Sequence, residues 1–486
     1  MWTADLGNGR YKNPILYADY SDPDAIRVGD DYFMISSSFS NAPAMPLLHS
    51  KDLVNWKVIN YILAEIPEFR YRNPIHGCGV WAPAIRYHEG TYYVCFPMPD
   101  EGIYMTTATD PYGEWSKPVN IRPGAGWIDP CPFWDEDGKA YLVAGVAKSR
   151  IGYKSVLHMV EMQPDGMGLI GEEKIIFDGN LNDQITIEGP KMYKRNGWYY
   201  IFAPAGGVKT GWQTVLRSKN VFGPYEYKVV MRQGDSPVNG PHQGAWVDTQ
   251  TGEDWFLHFQ DVYAAGRIVH LQPMRWENDW PVIGEAAPGE ESGKPVTTWH
   301  KPDVGAVYPV TSPDAEDDFD KEQLGLQWQW NANPKDGWYA LDTEKHQLIL
   351  KAVQRHADTI TNEPNLLLQK WCMPEFCAET MLNLEAMRSG DMAGLISLGV
   401  TYGAVAIAKE SDAYVIKLIH GKQHFDKEEA SAEDIITEVK RLPLTVKEIY
   451  FNNTVKQIPS TEYNQDGPYT FPIPAEVISL GYSIDG

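Results

Sequence analysis

The sequence predicts an all-β protein: a five-bladed β-propeller followed by a β-sandwich of the jelly-roll type. Three observations support this fold class. A unit of roughly 50 to 60 residues recurs through positions 1–285, almost no segment has helical periodicity, and short β-type runs fill the last third of the chain. With 486 residues, the chain is also too long for one ordinary domain.

Each unit of the repeat begins with a polar or aromatic anchor residue, which is followed by a short strand, a turn and an aromatic-rich strand. The turns VGDD, HEGT, DEDG, KRNG and QTGED all have the composition of hairpin turns. Blades pack radially around a channel, so the same phase of every repeat should lie at the same end of the channel. We therefore expect one channel mouth to be surrounded by the five anchors Asp22, Trp81, Asp129, Glu188 and His242.

The end of the repeat sets the expected domain boundaries. Residues 1–285 should form the propeller, 286–315 a linker rich in Pro, Gly, Ser and acidic residues, and 316–486 the sandwich. In the last segment, short β-type runs such as QLILKAV and GAVAIAK recur at even spacing. The stretch KEEASAEDIITEVKR could be a helix, although its charge fits a solvated loop or an edge strand equally well.

Composition excludes some partners. The chain has 42 Lys and Arg against 65 Asp and Glu, a net charge of −23, which should repel nucleic acid and anionic membranes. No apolar run could span a membrane and the N-terminus has no signal-peptide pattern, so a cytoplasmic location and secretion after leader removal both stay open. The five cysteines are expected to be buried thiols rather than a disulfide framework.

Three of the anchors are acids, and each lies beside a Pro or Gly, in SDPDAI, WIDPCPF and TIEGPKM. Three carboxyl groups at one channel mouth would repel one another, so at least one should have a raised pKa and stay protonated. Glycoside hydrolysis needs this pattern: a protonated acid for the leaving oxygen and a carboxylate for water or for direct attack. Turn caps on a solvated rim and a calcium site made of carboxylate oxygens are the two alternatives.

Several motifs resemble glycoside hydrolase family 43, whose members are five-bladed propellers acting on sugars derived from xylan and arabinan. They are SDPDAIRVGDDYFMISSS, HSKDLVNW, GVWAPAI, WIDPCPFWDEDGKAYLV, IEGPKMYKRNGWYYI and FGPYE. The rest of the chain resembles the β-sandwich of the family's β-xylosidases and α-L-arabinofuranosidases. The resemblance implies an inverting mechanism with Asp22 as general base and Glu188 as general acid. Asp129 would be the third carboxylate, which raises the pKa of the acid and orients it, and Asp24 would be structural.

The same resemblance implies residues that bind the substrate. Trp81 and Phe39 match rings that line the sugar subsite, and Arg267 matches an arginine that hydrogen-bonds sugar hydroxyls near the acids. His242 lies beside the active site, and in some members it helps to hold a calcium ion in the channel. No organic cofactor is implied. The alternatives are a core aromatic for Trp81, an ordinary salt bridge for Arg267 and a hydrogen-bonded structural histidine for His242.

From this resemblance we expect an inverting exo-glycosidase that releases terminal β-D-xylosyl or α-L-arabinofuranosyl residues from hemicellulose oligosaccharides. Exo action is expected because the sandwich of relatives blocks one side of the cleft. The alternatives are an arabinan-directed arabinofuranosidase or endo-arabinanase of the same family and, in another class, a non-catalytic propeller that binds glycans. The oligomeric state is left open.

The sequence departs from the family pattern at two places. After Phe39 it reads SNAPAMP, where many xylosidases carry bulky aromatics, so we expect an open subsite. It ends in GYSIDG, a phrase that in relatives precedes the last strands of the sandwich. We therefore expect a sandwich shortened at its C-terminus, without any pocket wall that a late sandwich loop would form.

Overall fold

A computed structural model describes residues 2–355, 359–423, 433–460, 462–464 and 471–485. The described chain is almost entirely β-structure and turns, which confirms the predicted fold class. Its helical segments are single turns, and none could cross a membrane. They are the α-helical turn α1 (Lys148–Ile151) and the 3₁₀ turns Phe69–Arg72, Gly179–Leu181, Tyr263–Ala265 and Ile360–Asn362.

The propeller region contains five four-stranded antiparallel sheets, each built from four consecutive strands, and one outlying pair of short strands. In chain order the strands are β1 (Arg10–Lys12), β2 (Asp24–Val28), β3 (Asp31–Ile35), β4 (Ala44–Ser50), β5 (Trp56–Leu63), β6 (Ala84–His88), β7 (Thr91–Met98), β8 (Gly102–Ala108), β9 (Val119–Pro123), β10 (Trp127–Trp134), β11 (Ala140–Val146), β12 (Val156–Met162), β13 (Leu169–Asp178), β14 (Lys191–Arg195), β15 (Trp198–Ala205), β16 (Trp212–Ser218), β17 (Glu226–Met231), β18 (His242–Asp248), β19 (Asp254–Asp261), β20 (Arg267–Glu277), β21 (Trp280–Ile283) and β22 (Thr298–His300).

The five sheets follow one another around a ring. They consist of β2–β5, β6–β9, β10–β13, β14–β17 and β18–β21, and in each sheet the first strand is an edge. These first strands contact the neighbouring sheets: β2 packs against β6, β6 against β10 and β10 against β14. Strand β18 packs against both the fourth sheet and β2, which closes the ring. The first strands therefore line the central channel of the propeller.

Apolar side chains between neighbouring sheets form the core. Between the fourth and fifth sheets, the ring of Phe202 stacks on Trp246 and Phe256 with centroid distances of 6.2 and 5.8 Å. Between the fifth and first sheets, Leu257 and Val247 pack with Tyr32 from the first sheet. Because a propeller strand presents its two faces to two neighbouring sheets, the burial of these strands is nearly continuous.

The sandwich consists of two facing sheets, of order β27-β32-β35 and β28-β29-β30-β31, with three two-stranded pairs beside them. Its inner faces meet in a cluster that includes Val405, Ile416 and Phe451. The predicted sandwich is thus confirmed. Its strands are β23 (Gln329–Trp330), β24 (Tyr339–Asp342), β25 (Gln347–Leu350), β26 (Leu367–Leu368), β27 (Glu375–Asn383), β28 (Met392–Ser397), β29 (Thr401–Lys409), β30 (Tyr414–Lys422), β31 (Ile435–Leu442), β32 (Glu448–Ile458), β33 (Tyr463–Asn464), β34 (Phe471–Pro472) and β35 (Ala475–Ser483).

Two sequence expectations are resolved by these strands. The stretch that could have been a helix forms the edge strand β31 over residues 435–442, while its residues 427–432 lie outside the described residues. All five cysteines are free. The expectation that every thiol is buried is wrong for Cys377, which is exposed because it points outward from strand β27.

The sandwich docks on loops at one side of the propeller. The Ala42 amide donates to the Trp330 carbonyl at 3.0 Å, so the SNAPAMP segment pairs with strand β23. The Asn333 side chain bonds both the amide and the carbonyl of Ile66, at 2.8 Å each. Apolar contacts join Met373 of the sandwich to Val262 of the fifth sheet's loop. The segment that the sequence suggested to be open is therefore covered by the second domain.

The propeller core provides a stability test. Phe202→Ala should lower the free energy of unfolding by about 3–5 kcal/mol, because it removes a ring packed on two others and leaves a cavity. The matched control is Phe69→Ala, since Phe69 is 76% exposed and its ring faces the Arg72 guanidinium group. Its cost should stay below about 1 kcal/mol. Chemical unfolding followed by tryptophan fluorescence measures both variants, and equal effects would contradict the assigned core.

Candidate active site

The five anchors lie at the starts of the five channel-lining strands. Asp22 and Trp81 lie a few residues before β2 and β6, Glu188 precedes β14, and His242 is the first residue of β18. Asp129 lies within β10, at a bulge between Ile128 and Cys131. The phase of the repeat thus places all five residues at the same end of the ring, as the sequence predicts.

Two of the acids have a strained backbone. Asp22 and Asp129 have φ values of 55° and 56°, in the left-handed region that most residues avoid. Each is followed by a proline, which fixes the φ angle of the next residue and has no backbone N–H to donate to a neighbouring strand. Such strain persists only where surrounding contacts hold it, and it is common at functional sites. The local SDP and IDP sequences therefore turn both carboxyl groups out of the regular strand direction.

Asp22 is held by a cation and a hydroxyl. Arg267 Nη1 donates to one carboxylate oxygen and Ser37 Oγ to the other, both at 2.6 Å. The residue is only 4% exposed. Arg267 is itself anchored, because its backbone amide donates to Asp19 Oδ1 at 2.9 Å. These contacts stabilise the charged form of Asp22 and fix the direction of its oxygens.

Asp129 is bonded to the backbone that carries Glu188. The Gly189 amide donates to Asp129 Oδ2 at 2.8 Å, so the carboxyl group is tied to the residue after Glu188. Burial, together with the negative charge of Asp22, raises the pKa of Asp129 to about 6. At neutral pH the group is therefore largely ionised, while remaining easier to protonate than an ordinary aspartate.

Glu188 has a higher pKa than Asp129. Its backbone amide donates to the Pro204 carbonyl at 3.1 Å, while its side chain keeps 23% exposure towards the mouth. Burial is the main cause that raises the pKa of Glu188 to about 8, and the charge of Asp129 adds to it. The group is thus protonated at neutral pH and accessible to a ligand.

His242 is fully buried beside Glu188. Its Nε2 atom lies 3.5 Å from Glu188 Oε1. Burial and the positive charge of Arg267 lower the pKa of His242 to about 3, so the ring is neutral and the contact is no ion pair. Neither ring nitrogen has a hydrogen-bond partner among the described residues, although both are buried.

The two candidate aromatic platforms lie next to each other. The backbones of Phe39 and Val80 bond each other twice at 2.9 Å, which places Trp81 beside Phe39. Gly79 allows this close approach, since a Cβ there would lie 2.2 Å from the Phe39 carbonyl oxygen. Both rings are partly exposed. The structure thus places the two rings at one side of the mouth, where a sugar face could pack against them.

Asp24 has a different environment from Asp22. It is fully buried, and one oxygen accepts from Arg86 Nη1 at 2.7 Å and from the Ile85 amide at 2.8 Å. Both partners belong to the second sheet, so Asp24 joins two blades. This position supports the sequence-based choice of Asp22 rather than Asp24 as the residue that faces the mouth.

Sequence reasoning missed several residues at the mouth. Arg150 lies 5.1 Å from the centroid of the Trp81 ring and bonds Asp100 at 3.0 Å. Arg70 bonds the same carboxylate at 3.1 Å. These residues come from three separate loops outside the repeat, so no motif signals them. Ser37 was also missed, although it lies in the ISSS segment that the family motif includes.

The residues around the channel are a poor donor set for calcium. Among the described residues, no group of three or more His, Cys, Asp and Glu side chains is arranged to hold a metal ion. Calcium takes six to eight oxygen ligands, whereas His242 offers one nitrogen at a time. The nearest aspartates are already bonded by arginines, Asp22 by Arg267 and Asp24 by Arg86. The calcium ion suggested by the resemblance therefore stays a prediction.

Several known proteins are similar to this chain. A relative from Xylanibacter ruminicola, provisionally named a beta-xylosidase, is 43% identical over 84% of this chain and 74% of its own. A beta-xylosidase of Formosa agariphila is 31% identical over 96% and 84%. A non-reducing end alpha-L-arabinofuranosidase of Bacteroides ovatus is 30% identical over 82% and 75%.

Solved structures give the same result. A bifunctional protein of Bacteroides eggerthii superimposes with a TM-score of 0.78 at 27% identity, covering 97% of this chain, which spans 61% of that protein. The BlXynB protein of Bacillus licheniformis gives a TM-score of 0.76 at 26% identity, over 92% of this chain and 86% of its own. Residues 316–481 match the beta xylosidase C-terminal concanavalin A-like domain. Because residues 11–281 match the family described as glycosyl hydrolases family 43, the chain belongs to this family and is a glycoside hydrolase.

Proposed function

We propose that the protein is an inverting exo-glycosidase that removes terminal β-D-xylosyl or α-L-arabinofuranosyl residues from short hemicellulose fragments. The observation that carries the proposal is the separation of roles among three clustered acids. Glu188 is protonated near neutral pH, while Asp22 accepts hydrogen bonds from Arg267 and Ser37 on its two carboxyl oxygens. Inverting hydrolysis uses one group of each kind.

In this proposal the three acids act together in a single displacement. Glu188 donates its proton to the glycosidic oxygen as the bond to the anomeric carbon breaks. Asp22 accepts a proton from a water molecule, which attacks the anomeric carbon from the opposite side and inverts its configuration. Asp129 takes no proton from the substrate. Its negative charge keeps the proton on Glu188, and its bond to the Gly189 amide fixes the backbone of the acid.

The neighbouring residues would bind the terminal sugar. Trp81 and Phe39 offer partly exposed rings at one side of the mouth. Arg267 can reach sugar hydroxyls as well as Asp22, because its side chain keeps 28% exposure. The neutral His242 can bond a hydroxyl or a water molecule with its free ring nitrogens.

Exo action is supported by the position of the sandwich. Trp330 of the sandwich is bonded by Ala42, in the loop that follows Phe39 in the first sheet. Asn333 is bonded by Ile66, in the connection between the first and second sheets. A long polysaccharide could not lie across a mouth that is closed on this side. The names of the relatives support xylosyl and arabinofuranosyl substrates more than internal cleavage of arabinan. A purely binding propeller is disfavoured because the chain belongs to a family of hydrolases and keeps all three acids.

Replacing the proposed acid should have an effect that depends on the leaving group. Glu188→Gln should lower kcat/KM for xylobiose by roughly 10²–10⁴-fold, since the leaving sugar must be protonated. With 2,4-dinitrophenyl β-D-xyloside, whose leaving group needs no proton, the loss should be about tenfold or less. Asp22→Asn should impair both substrates, because both need an activated water.

The matched control for that experiment is Glu136→Gln. Glu136 lies in the turn between β10 and β11, at the end of the sheet away from the mouth, and its side chain is 86% exposed. It should behave as the unmodified enzyme with both substrates. An Asp22→Asn variant with unchanged hydrolysis would refute the assigned base.

The pH profile should follow the two raised pKa values. As pH rises through about 8, Glu188 loses the proton that it must donate, so kcat/KM should fall. As pH falls through about 6, Asp129 becomes protonated and loses the negative charge that acts on Glu188 and on the Gly189 amide, so the acid is less well positioned and kcat/KM should fall again. We expect an optimum between these values, measured with an aryl β-D-xyloside. A rate that is still rising above pH 9 would contradict the role of Glu188.

Product analysis tests the remaining parts of the proposal. Xylotetraose should give xylose and xylotriose first, and proton NMR should detect the released xylose initially as the α-anomer. Early xylobiose without xylose would exclude exo action, and initial β-xylose would exclude inversion. Rates with aryl β-D-xyloside and aryl α-L-arabinofuranoside, measured side by side, distinguish the xylosidase from the arabinan-directed alternative.

A further inference from the structure

A buried lysine crosses the channel below the three acids. Lys191 is the first residue of β14, three positions after Glu188, and it is 0% exposed. Its Nζ atom lies 3.5 Å from the Pro83 carbonyl oxygen, just before β6. Lys191 belongs to the fourth sheet and Pro83 to the second, with the third sheet between them in the ring. The side chain can make this contact only by spanning the channel.

The other buried cations at this end of the propeller are already paired. Arg267 is bonded to Asp22 at 2.6 Å and Arg86 to Asp24 at 2.7 Å. Asp129 accepts from the neutral Gly189 amide, so an ionised Asp129 needs a charge from elsewhere. The Lys191 side chain runs from β14 to the start of β6, the two strands that flank β10, and its positive charge lowers the pKa of Asp129 on β10. A buried charge without such compensation is strongly unfavourable.

The charges also balance in number. With Glu188 protonated, the mouth holds two carboxylates, Asp22 and Asp129, and two cations, Arg267 and Lys191. The ammonium group of Lys191 has three donors, while its one bond within the described residues goes to a carbonyl. A calcium ion in the same channel would be repelled by this ammonium group and would find few free oxygens. The lysine therefore supplies the positive charge that a metal would otherwise bring.

We propose that Lys191 is a positioning residue of the catalytic site, whose ammonium group keeps Asp129 ionised and so keeps the proton on Glu188 without a calcium ion. The catalytic consequence of this inference rests on the proposed function, whereas the electrostatic interaction between Lys191 and Asp129, called the pairing below, does not. The groups that face Asp129 are Asp22 from the first sheet, Glu188 and Lys191 from the fourth, and Gln243 from the fifth.

The first test measures activity against pH. Lys191→Met keeps the length of the side chain and removes the charge. We expect kcat to fall at least tenfold with KM nearly unchanged, and the acid limb of the kcat/KM profile to move up by about one pH unit. Lys194→Met is the matched control, because Lys194 lies on the same strand but bonds Asp135, which precedes the turn at the far end of the third sheet from the acids. Its profile should stay that of the unmodified enzyme.

The second test does not depend on activity. Lys191→Met is made alone and together with Asp129→Asn, and thermal unfolding is measured at pH 7.5. The lysine change should lower Tm in the unmodified background, where Asp129 loses its countercharge. In the Asp129→Asn background it should raise Tm or leave it unchanged, since the lysine there is itself uncompensated. The same loss of Tm in both backgrounds would overturn the pairing.

The third measurement addresses the metal. The purified enzyme should contain no stoichiometric calcium by elemental analysis, and neither EDTA nor added calcium chloride should change its activity or Tm. A loss of activity on chelation that calcium restores would overturn the statement that Lys191 acts without the ion. If the enzyme cleaves none of the sugars tested while the unfolding cycle shows coupling, the proposed function fails and the pairing stands.

Discussion

The mutual repulsion of three carboxyl groups at one channel mouth is the constraint on which this structure depends. Asp22, Asp129 and Glu188 come from three different sheets, and the propeller holds them together although their charges oppose it. The molecule meets this cost by three means: a guanidinium group on Asp22, a backbone amide on Asp129 and a proton on Glu188. The same arrangement serves the reaction, because the remaining repulsion between Asp129 and Glu188 helps to keep Glu188 protonated beside an ionised carboxyl group.

The ring of sheets gives this arrangement its rigidity. The acids lie at or just before the first strands, which are packed on both sides, and the strained backbones of Asp22 and Asp129 are held by the prolines that follow and by the contacts around them. The sandwich adds a second constraint from outside. It pairs with the loop after Phe39, and in the proposed function this contact limits the mouth to the end of a short sugar chain. Acid chemistry and substrate length are thus set by different domains.

Much of the site could be predicted from the sequence because it repeats in phase with the fold. The anchors Asp22, Trp81, Asp129, Glu188 and His242 share one position in the repeat, and a ring of sheets places equal phases at one end. Residues outside the repeat could not be found in this way. Arg150 contacts the Trp81 ring from the helical turn α1, which is not part of the repeat. Lys191 belongs to the EGPK motif, but the sequence does not indicate that its side chain crosses the channel. The pairing of the SNAPAMP segment with the sandwich could not be found either, because a contact between domains has no local signal.

The sequence by itself determined the all-β fold, the propeller followed by a sandwich, and the identity of the three acids, since these depend on periodicity and on local motifs. Only the tertiary structure decided how burial and neighbouring charges hold the proton on Glu188, which cation lies beside which carboxylate and which segment the sandwich covers. Those properties depend on distances and burial between segments that lie far apart in the chain. Electrostatic energies change steeply with both, whereas the order of residues along the chain records neither.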